Sequence, residues 1–528
     1  MTAAPEGRRW LGLAVLCFSV LLISLDQTVL NVALPTLIND LHPSASGLPW
    51  IADGYTLTNG VLLLLGGALG DRYGRRLTFL IGVAVFGAGS LFCALVNTTG
   101  DVIAARAVMG AGAALLMPAT LSLITTTFQG QERARAIGIW AGVSGIGTAA
   151  GPLLGGWMLQ HFWWGSVFLI NVPVAALALV GGALVLNESR APHRRSLDIP
   201  GVILSAVGLA AVTYGLITGP DDGWLSATVL GSLIGGVVLV AVFVWWELRQ
   251  AEPLVEMKLF RNRTFSSAVG AVTAVFFALF GASYLLSQFI QFVQGVNSFG
   301  VGLRFLPLAI GTLITANLAV RMTARVGLRI TMVAGIAMLT AAMVLLAVIG
   351  TTGNITLLAS FSLLGLGIGM VISPASNAIM GTLPRAKVGT GAGLRSMVQL
   401  LGGSFGVAII GSLATARYRS QIGHALTTTL RGLPVSARGP VTDQIGDAFA
   451  VAARLPGPLG HATASAAGQA FLSGVHLTAI VAAVVMVIAM VIAAITIPNR
   501  VDAARHNETP DTTGGVPAET LQARGNSE

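Results

Sequence analysis

DRYGRRLTFLIGVAVFGAG (residues 71–89) lines up with ARVGLRITMVAGIAMLTAA (residues 324–342). Arg72 falls on Arg325, Gly74 on Gly327, Arg76 on Arg329 and Thr78 on Thr331. Asp71 falls on Ala324, so the acidic member is present in the first copy only. Each copy runs from a short basic loop into a continuous apolar stretch, which is the pattern of a spanning helix and not of a barrel strand. A repeat of this kind predicts two related helical bundles, an arrangement suited to rocking about a central cavity.

The composition around the repeat agrees. Of 528 residues, 54% are hydrophobic and only 10% are charged, whereas soluble domains carry about 25% charged residues. Such a chain cannot cover a globular surface with polar groups, but a lipid-facing surface needs no such cover. The 66 glycines suit helices that approach one another closely in a membrane. About fourteen apolar runs reach the roughly 20 residues needed to span. They begin with 11–34 and end with 389–414 and 472–496. Arg8 and Arg9 precede the first run, which is too long for the core of a cleavable signal. Cys17 and Cys93 both lie in apolar runs and read as packing residues.

Twenty-two of the 30 basic residues fall in one alternate set of inter-run segments and in the two ends. The short segments of the other set hold none. This asymmetry predicts that both termini are cytoplasmic and the number of spans is even. It also accounts for the net charge of +9 without a nucleic-acid partner. The expected organisation is an N-terminal six-helix bundle (1–186), an inserted two-helix hairpin with basic linkers (187–263), and a C-terminal six-helix bundle (264–498). Segment 415–471 is expected to be an extracellular loop, either disordered or carrying a surface helix over 441–455. Residues 499–528 are expected to be a disordered cytoplasmic tail.

Four motifs then stand in order over the first 160 residues. They are LDQTVLNVALP (Leu25–Pro35), GALGDRYGRR (Gly67–Arg76), Arg106 with Gly110, Gly112 and Ala113, and Gly147, Gly151, Pro152, Gly155 and Gly156. Together they resemble the major facilitator superfamily, and within it the fourteen-helix drug:proton antiporters of the EmrB/QacA type. The rest of the chain is similar to that family in helix number, in the inserted hairpin and in GVGLRFLP (residues 300–307). The resemblance implies an all-α polytopic membrane protein of the major facilitator fold. It implies export by alternating access, with protons as the coupling ion and no other cofactor.

Three charges sit inside or just within spans: Asp26, Asp53 and Arg106. A charge there costs at least ~2.5–3.5 kcal/mol on insertion scales, so such groups usually line a cavity and work. Burial disfavours the charged form of a carboxyl, which is what a proton carrier needs. All three are expected at a similar depth, with Arg106 tuning one aspartate. A fixed Asp–Arg pair that only holds helices together is the other reading, and Asp53 also suits a helix N-terminus in contact with water.

Gly67, Asp71, Arg72, Gly74, Arg75 and Arg76 read as a cytoplasmic gate. The resemblance implies that Asp71 meets a helix N-terminus of the opposite half, here one beginning near Gly389, in the outward-facing state. Such a contact is worth ~0.3–2 kcal/mol, which suits a switch that must also break. The glycines of 138–156 leave one helix nearly bare along one side and predict a tight helix contact, read as the interface between halves. Asn31, Tyr55, Gln288, Gln291, Asn317, Asn377, Arg395 and Gln399 are the polar candidates for the substrate cavity.

No carboxylate lies in the spans of the second half, where Arg304 and Arg395 are the intramembrane charges. Exporters of the resembled family that accept dicationic drugs carry acids there, so the absence of acids weakens any claim to dicationic substrates. Arg395 suits anionic or neutral lipophiles, although it is only about 9 Å deep at 1.5 Å per residue and can instead snorkel to the cytoplasmic face. None of HExxH, GxxxxGK[ST] or CxxC occurs, and GxSxG occurs only as Gly402–Gly406 inside an apolar run, so neither catalysis nor metal binding is indicated. The expected function is proton-coupled efflux of small lipophilic compounds, drugs or antibiotics, by a monomer in the bacterial cytoplasmic membrane. A dedicated exporter of one endogenous metabolite, antibiotic or lipid is the alternative.

Overall fold

The computed structural model describes residues 6–190, 198–382 and 388–498, and among them it is helical without strands. The expected tail and part of each of two basic segments (191–197 and 383–387) lie outside the described residues. The first bundle comprises α1 (Glu6–Leu41), α2 (Gly47–Tyr73), α3 (Arg75–Leu95), α4 (Thr99–Thr127), α5 (Gly130–His161) and the broken pair α6 (Ser166–Leu169) and α7 (Asn171–Val185). The hairpin is α8 (Ile199–Asp222) and α9 (Ala227–Glu247). The second bundle comprises α10 (Arg263–Gln288), α11 (Ser298–Val326), α12 (Leu328–Leu346), α13 (Asn354–Gly381), α14 (Val388–Thr427), α15 (Val435–Asp443), α16 (Ile445–Arg454) and α17 (Gly457–Thr496).

Thirteen of these segments are long and apolar enough to cross a membrane. The 27-residue α2 is not among them, because Asp53, Thr56, Thr58 and Asn59 interrupt its apolar run. It is nevertheless largely buried in its first half and packs on α4 and α14. Fourteen long segments therefore correspond one to one with the apolar runs of the sequence.

The repeat has a structural reason. Gly74 and Gly327 turn the chain between consecutive helices at φ 131° and 94°, values that side chains with a Cβ rarely adopt. Thr78 and Thr331 each donate their hydroxyl to the carbonyl of that glycine at 2.9 Å. Arg76 then donates to the Ala183 carbonyl at the end of α7, and Arg329 donates to the Ile497 carbonyl after α17 at 2.6 Å. The same three residue types thus shape the start of the third helix of each bundle, and the arginine ties it to the last. Helix pairings repeat likewise: α2 on α4 as α11 on α13, and α1 on α5 as α10 on α14.

Between the bundles, α5 meets α11, α2 meets α14, and α1 meets α10. Helix α8 lies along the α2–α14 seam. Asp198 caps α8 through Gly201 N–H at 3.0 Å and takes the Trp246 indole N–H at 2.9 Å, which fastens the base of the hairpin. The far end is held by Arg419 of α14, which reaches Asp221 at 2.6 Å.

Segment 415–471 departs from expectation. Helix α14 continues to Thr427 and α17 begins at Gly457, so only 428–456 lies between them. Arg417, Arg419 and Ser420 interrupt the hydrophobic run, yet Tyr418 and Ile422 stay buried and carry the helix on. Helix α16 covers much of the expected 441–455 helix. It does not float on a surface, because Gln444 Nε2 donates to the Pro43 carbonyl at 2.5 Å and Phe449 packs on Phe292.

Candidate functional site

The core of the site is an ion pair buried in the first bundle. Arg106 Nη1 of α4 donates to Asp26 Oδ2 of α1 at 2.6 Å, and each side chain is 1% exposed. Asn171, the first residue of α7, donates to Asp26 Oδ1 at 3.3 Å and to Ser90 Oγ at 3.0 Å. Arg106 Nε donates to the Ile51 carbonyl at 3.4 Å, and its guanidinium lies 4.5 Å from the Tyr55 ring centroid. A charge pair taken out of water persists only where further hydrogen bonds satisfy it, and these groups supply them. Close packing brings the helices within reach: a Cβ on Gly110 would crowd Asn59 N at 3.2 Å, and one on Gly54 would crowd the Ile103 carbonyl at 3.2 Å.

Asp53 does not join this pair. It stands two residues from Tyr55, about 200° around the helix, and it is fully buried on the α14 side with Ser404 as its polar neighbour. Neither carboxyl oxygen makes a regular hydrogen bond among the described residues. The three charges therefore divide into a bonded pair within one bundle and a single acid on the seam between bundles. Asn59 is likewise fully buried, beside Tyr55, and neither amide atom makes a regular hydrogen bond among the described residues.

At the basic end, Asp71 accepts two hydrogen bonds from Arg75, at 2.8 and 3.1 Å. Arg72 stacks over Tyr73 at 5.6 Å. Glu188, which follows α7, accepts from Arg76 N–H at 3.0 Å and Leu77 N–H at 3.1 Å and so caps α3. Helix α14 begins at Val388, beside the expected Gly389, but the side chains of its first residues lie outside the described set. Gly67 rests on Pro118 at ordinary contact distance, whereas a Cβ on Gly66 would overlap the Ala114 carbonyl.

The glycines of α5 divide by position. Gly147 and Gly155 lie against Ser24 and Val29 of α1, with Cβ positions 2.8 Å from side-chain atoms, and Gly151 lies against Thr28. These three pack within the first bundle and not between bundles, contrary to the sequence expectation. Gly156 meets Ser298 and Phe299 of α11, and the Pro152 carbonyl meets Gly302. Toward the basic end, Gly145 is 4.0 Å from Leu313, and Gly142 and Gly138 face open space. Along α5 and α11 the bundles thus touch at the end that carries α15 and α16 and part toward the basic end.

The remaining candidates scatter. Gln291 Nε2 crosses between bundles to the Val32 carbonyl at 3.0 Å. Gln288 lines a small cavity with Tyr284, Tyr418 and Gln444. Tyr55 is wholly buried against Arg106 and Phe86. Asn31, Arg395 and Gln399 are partly accessible, and Asn377 is exposed. The side chain of Asn317 lies outside the described set. Sequence reasoning missed Asn171, Asn59 and Glu188. Asn171 carried one readable sign, an amide at the break of an otherwise apolar span.

Two repeated six-helix bundles with a buried charge pair, parted between α5 and α11 toward the basic end, have the architecture of a polytopic transporter. The Major Facilitator Superfamily model matches residues 16–407, and the chain belongs to that superfamily. It is 36% identical over 492 residues to the multidrug efflux pump LfrA of Mycolicibacterium smegmatis, covering 92% of this chain and 96% of that one. It is 32% identical over 523 residues to the tetracenomycin C resistance and export protein of Streptomyces glaucescens, covering 98% and 96%. With the methylenomycin A resistance protein of Bacillus subtilis it shares 39% identity over 318 residues, 59% of this chain and 68% of that one. A bacterial homologue of the lysosomal transporter Spinster, in an inward-facing and unoccupied conformation, shares the fold at TM-score 0.66 and 16% identity, covering 95% of this chain and 100% of that chain.

Proposed function

We propose that this protein exports small lipophilic compounds, drugs or antibiotics, across a bacterial cytoplasmic membrane in exchange for protons. The buried Asp26–Arg106 pair carries the reading. A proton on Asp26 removes its attraction to Arg106 and frees α1 and α4 to repack. Proton binding and helix arrangement are then two sides of one equilibrium. The full-length relatives named for efflux and export support the substrate class.

In this reading both termini and the basic end are cytoplasmic, and α15 and α16 cover the external face. The parted basic end is then the mouth through which substrate enters. The Asp71–Arg75 pair is a gate element that exchanges partners when the mouth closes. Asp53 is the second acid of the coupling system, placed where α2 slides on α14. The working unit is a monomer.

The test is reconstitution in liposomes with an inward-acidic pH gradient and a lipophilic dye. Gradient-driven accumulation that disappears in Asp26→Asn is the expected result. A variant that keeps full gradient-driven transport removes Asp26 from the coupling mechanism.

A further inference from the structure

The second bundle is electrostatically one-sided. No Asp or Glu occurs from Met257 through Thr442. Of the two intramembrane cations there, Arg304 is occupied, donating to Gln294 Oε1 at 2.8 Å. Arg395 has no hydrogen bond or ion pair among the described residues, and its Nε is buried without an acceptor. In the first bundle Arg106 is already neutralised by Asp26.

The helix geometry places Arg395 toward the interior. Gly402 and Gly406 of α14 lie on Thr273 and Phe277 of α10. Arg395 is seven residues before Gly402, almost two full turns, and so shares that face. One turn nearer the basic end than Thr273, Gly270 has nothing within 4 Å of its Cβ position. By that register Gly270 stands opposite Gln399, so the face that Arg395 shares is open one turn from it. On the opposite side of α14, Gly393 packs on Leu64 of α2, so the space is bounded by both bundles. Asp53 offers no rescue, since its neighbour Ser404 is nine residues on, about 13 Å away along the axis and on the opposite face.

We infer that Arg395 is the counter-ion for the transported molecule, and that the substrate class is lipophilic organic anions: carboxylates, phenolates or sulfonates on an apolar frame. The inference deepens the export reading and rests on it for the word substrate. A guanidinium keeps its charge and offers a planar fork of donors matched to such groups. Its buried Nε lacks an acceptor, which is costly, and an arriving anion removes that cost. Gln399, one turn further on the same face, adds an amide donor.

Fluorescein and rhodamine 123 share a xanthene frame and differ in charge, so they separate shape from sign. Binding to the full-length protein in nanodiscs is read by fluorescence anisotropy. Fluorescein should bind, and Arg395→Gln should weaken it about tenfold or more, the scale of a lost charged hydrogen bond. Arg395→Lys should retain more affinity than Arg395→Gln, and neither variant should weaken rhodamine 123. Absence of fluorescein binding, tighter binding of rhodamine 123 by the unaltered protein, or equal fluorescein binding by Arg395→Gln with an unchanged melting temperature, overturns the inference. In liposomes under a pH gradient, movement of rhodamine 123 without fluorescein leaves export standing and defeats the anion assignment. Arg395-dependent binding of fluorescein with neither dye moving does the reverse.

Discussion

Removing one member of the Asp26–Arg106 pair exposes what the pair does. Asp26→Asn leaves a buried guanidinium without its charge partner, which should cost about 3–5 kcal/mol. The double variant Asp26→Asn with Arg106→Gln should recover most of the lost melting temperature, because no unpaired charge remains. It should still fail in gradient-driven transport if Asp26 carries the proton. Recovery of both stability and transport would make the pair a purely structural tie. These two residues were legible because a charge inside an apolar run is rare and conspicuous. Asn171 was not, since a neutral amide costs little to find in a span and its partner lies 145 positions away. Asp53 was visible as an acid, but its place on the seam depends on the rotation of α2, which periodicity in so glycine-rich a helix does not fix.

At the level of elements, the helix termini and the outer cap make separate predictions. Glu188 supplies both carboxyl oxygens to the first turn of α3. Glu188→Ala should destabilise the protein by about 0.5–2 kcal/mol, the usual loss for a capping acceptor. Thermal unfolding in detergent checks it. The cap formed by α15 and α16 belongs by chain to the second bundle but grips the first through Pro43, His42 and Ile38. A Cβ on Gly446 would lie 3.4 Å from that of Ile38, near the ~3.8 Å mean of a disulfide. Ile38→Cys with Gly446→Cys should therefore oxidise readily, stop transport, and recover on reduction. Undiminished turnover of the cross-linked protein would show that the cap need not part from α1. The long spans were readable from hydrophobic length alone. The cap was only half readable, because its helices are short and polar and owe their position to the bundle beneath them.

For the molecule as a whole, one labelling experiment addresses both its shape and its orientation. Gly142 faces the open space between α5 and α11, while Val301 is fully buried where those helices meet. Gly142→Cys should react with a membrane-impermeant maleimide from the cytoplasmic side, and Val301→Cys should not. Val435, 80% exposed on α15, should react as Val435→Cys from outside intact cells. Labelling of position 435 only after the membrane is opened would invert the proposed topology.

The matched ties from Arg76 to the end of α7 and from Arg329 to the end of α17 have a consequence for how the chain is made. Each joins the third helix of its bundle to the last, so the first bundle closes on itself as soon as residue 190 has left the ribosome. Continuity of the backbone between the bundles is then a convenience of synthesis and not a requirement of the fold. Two co-expressed pieces, 1–190 and 198–528, should find one another in the membrane and pull down together.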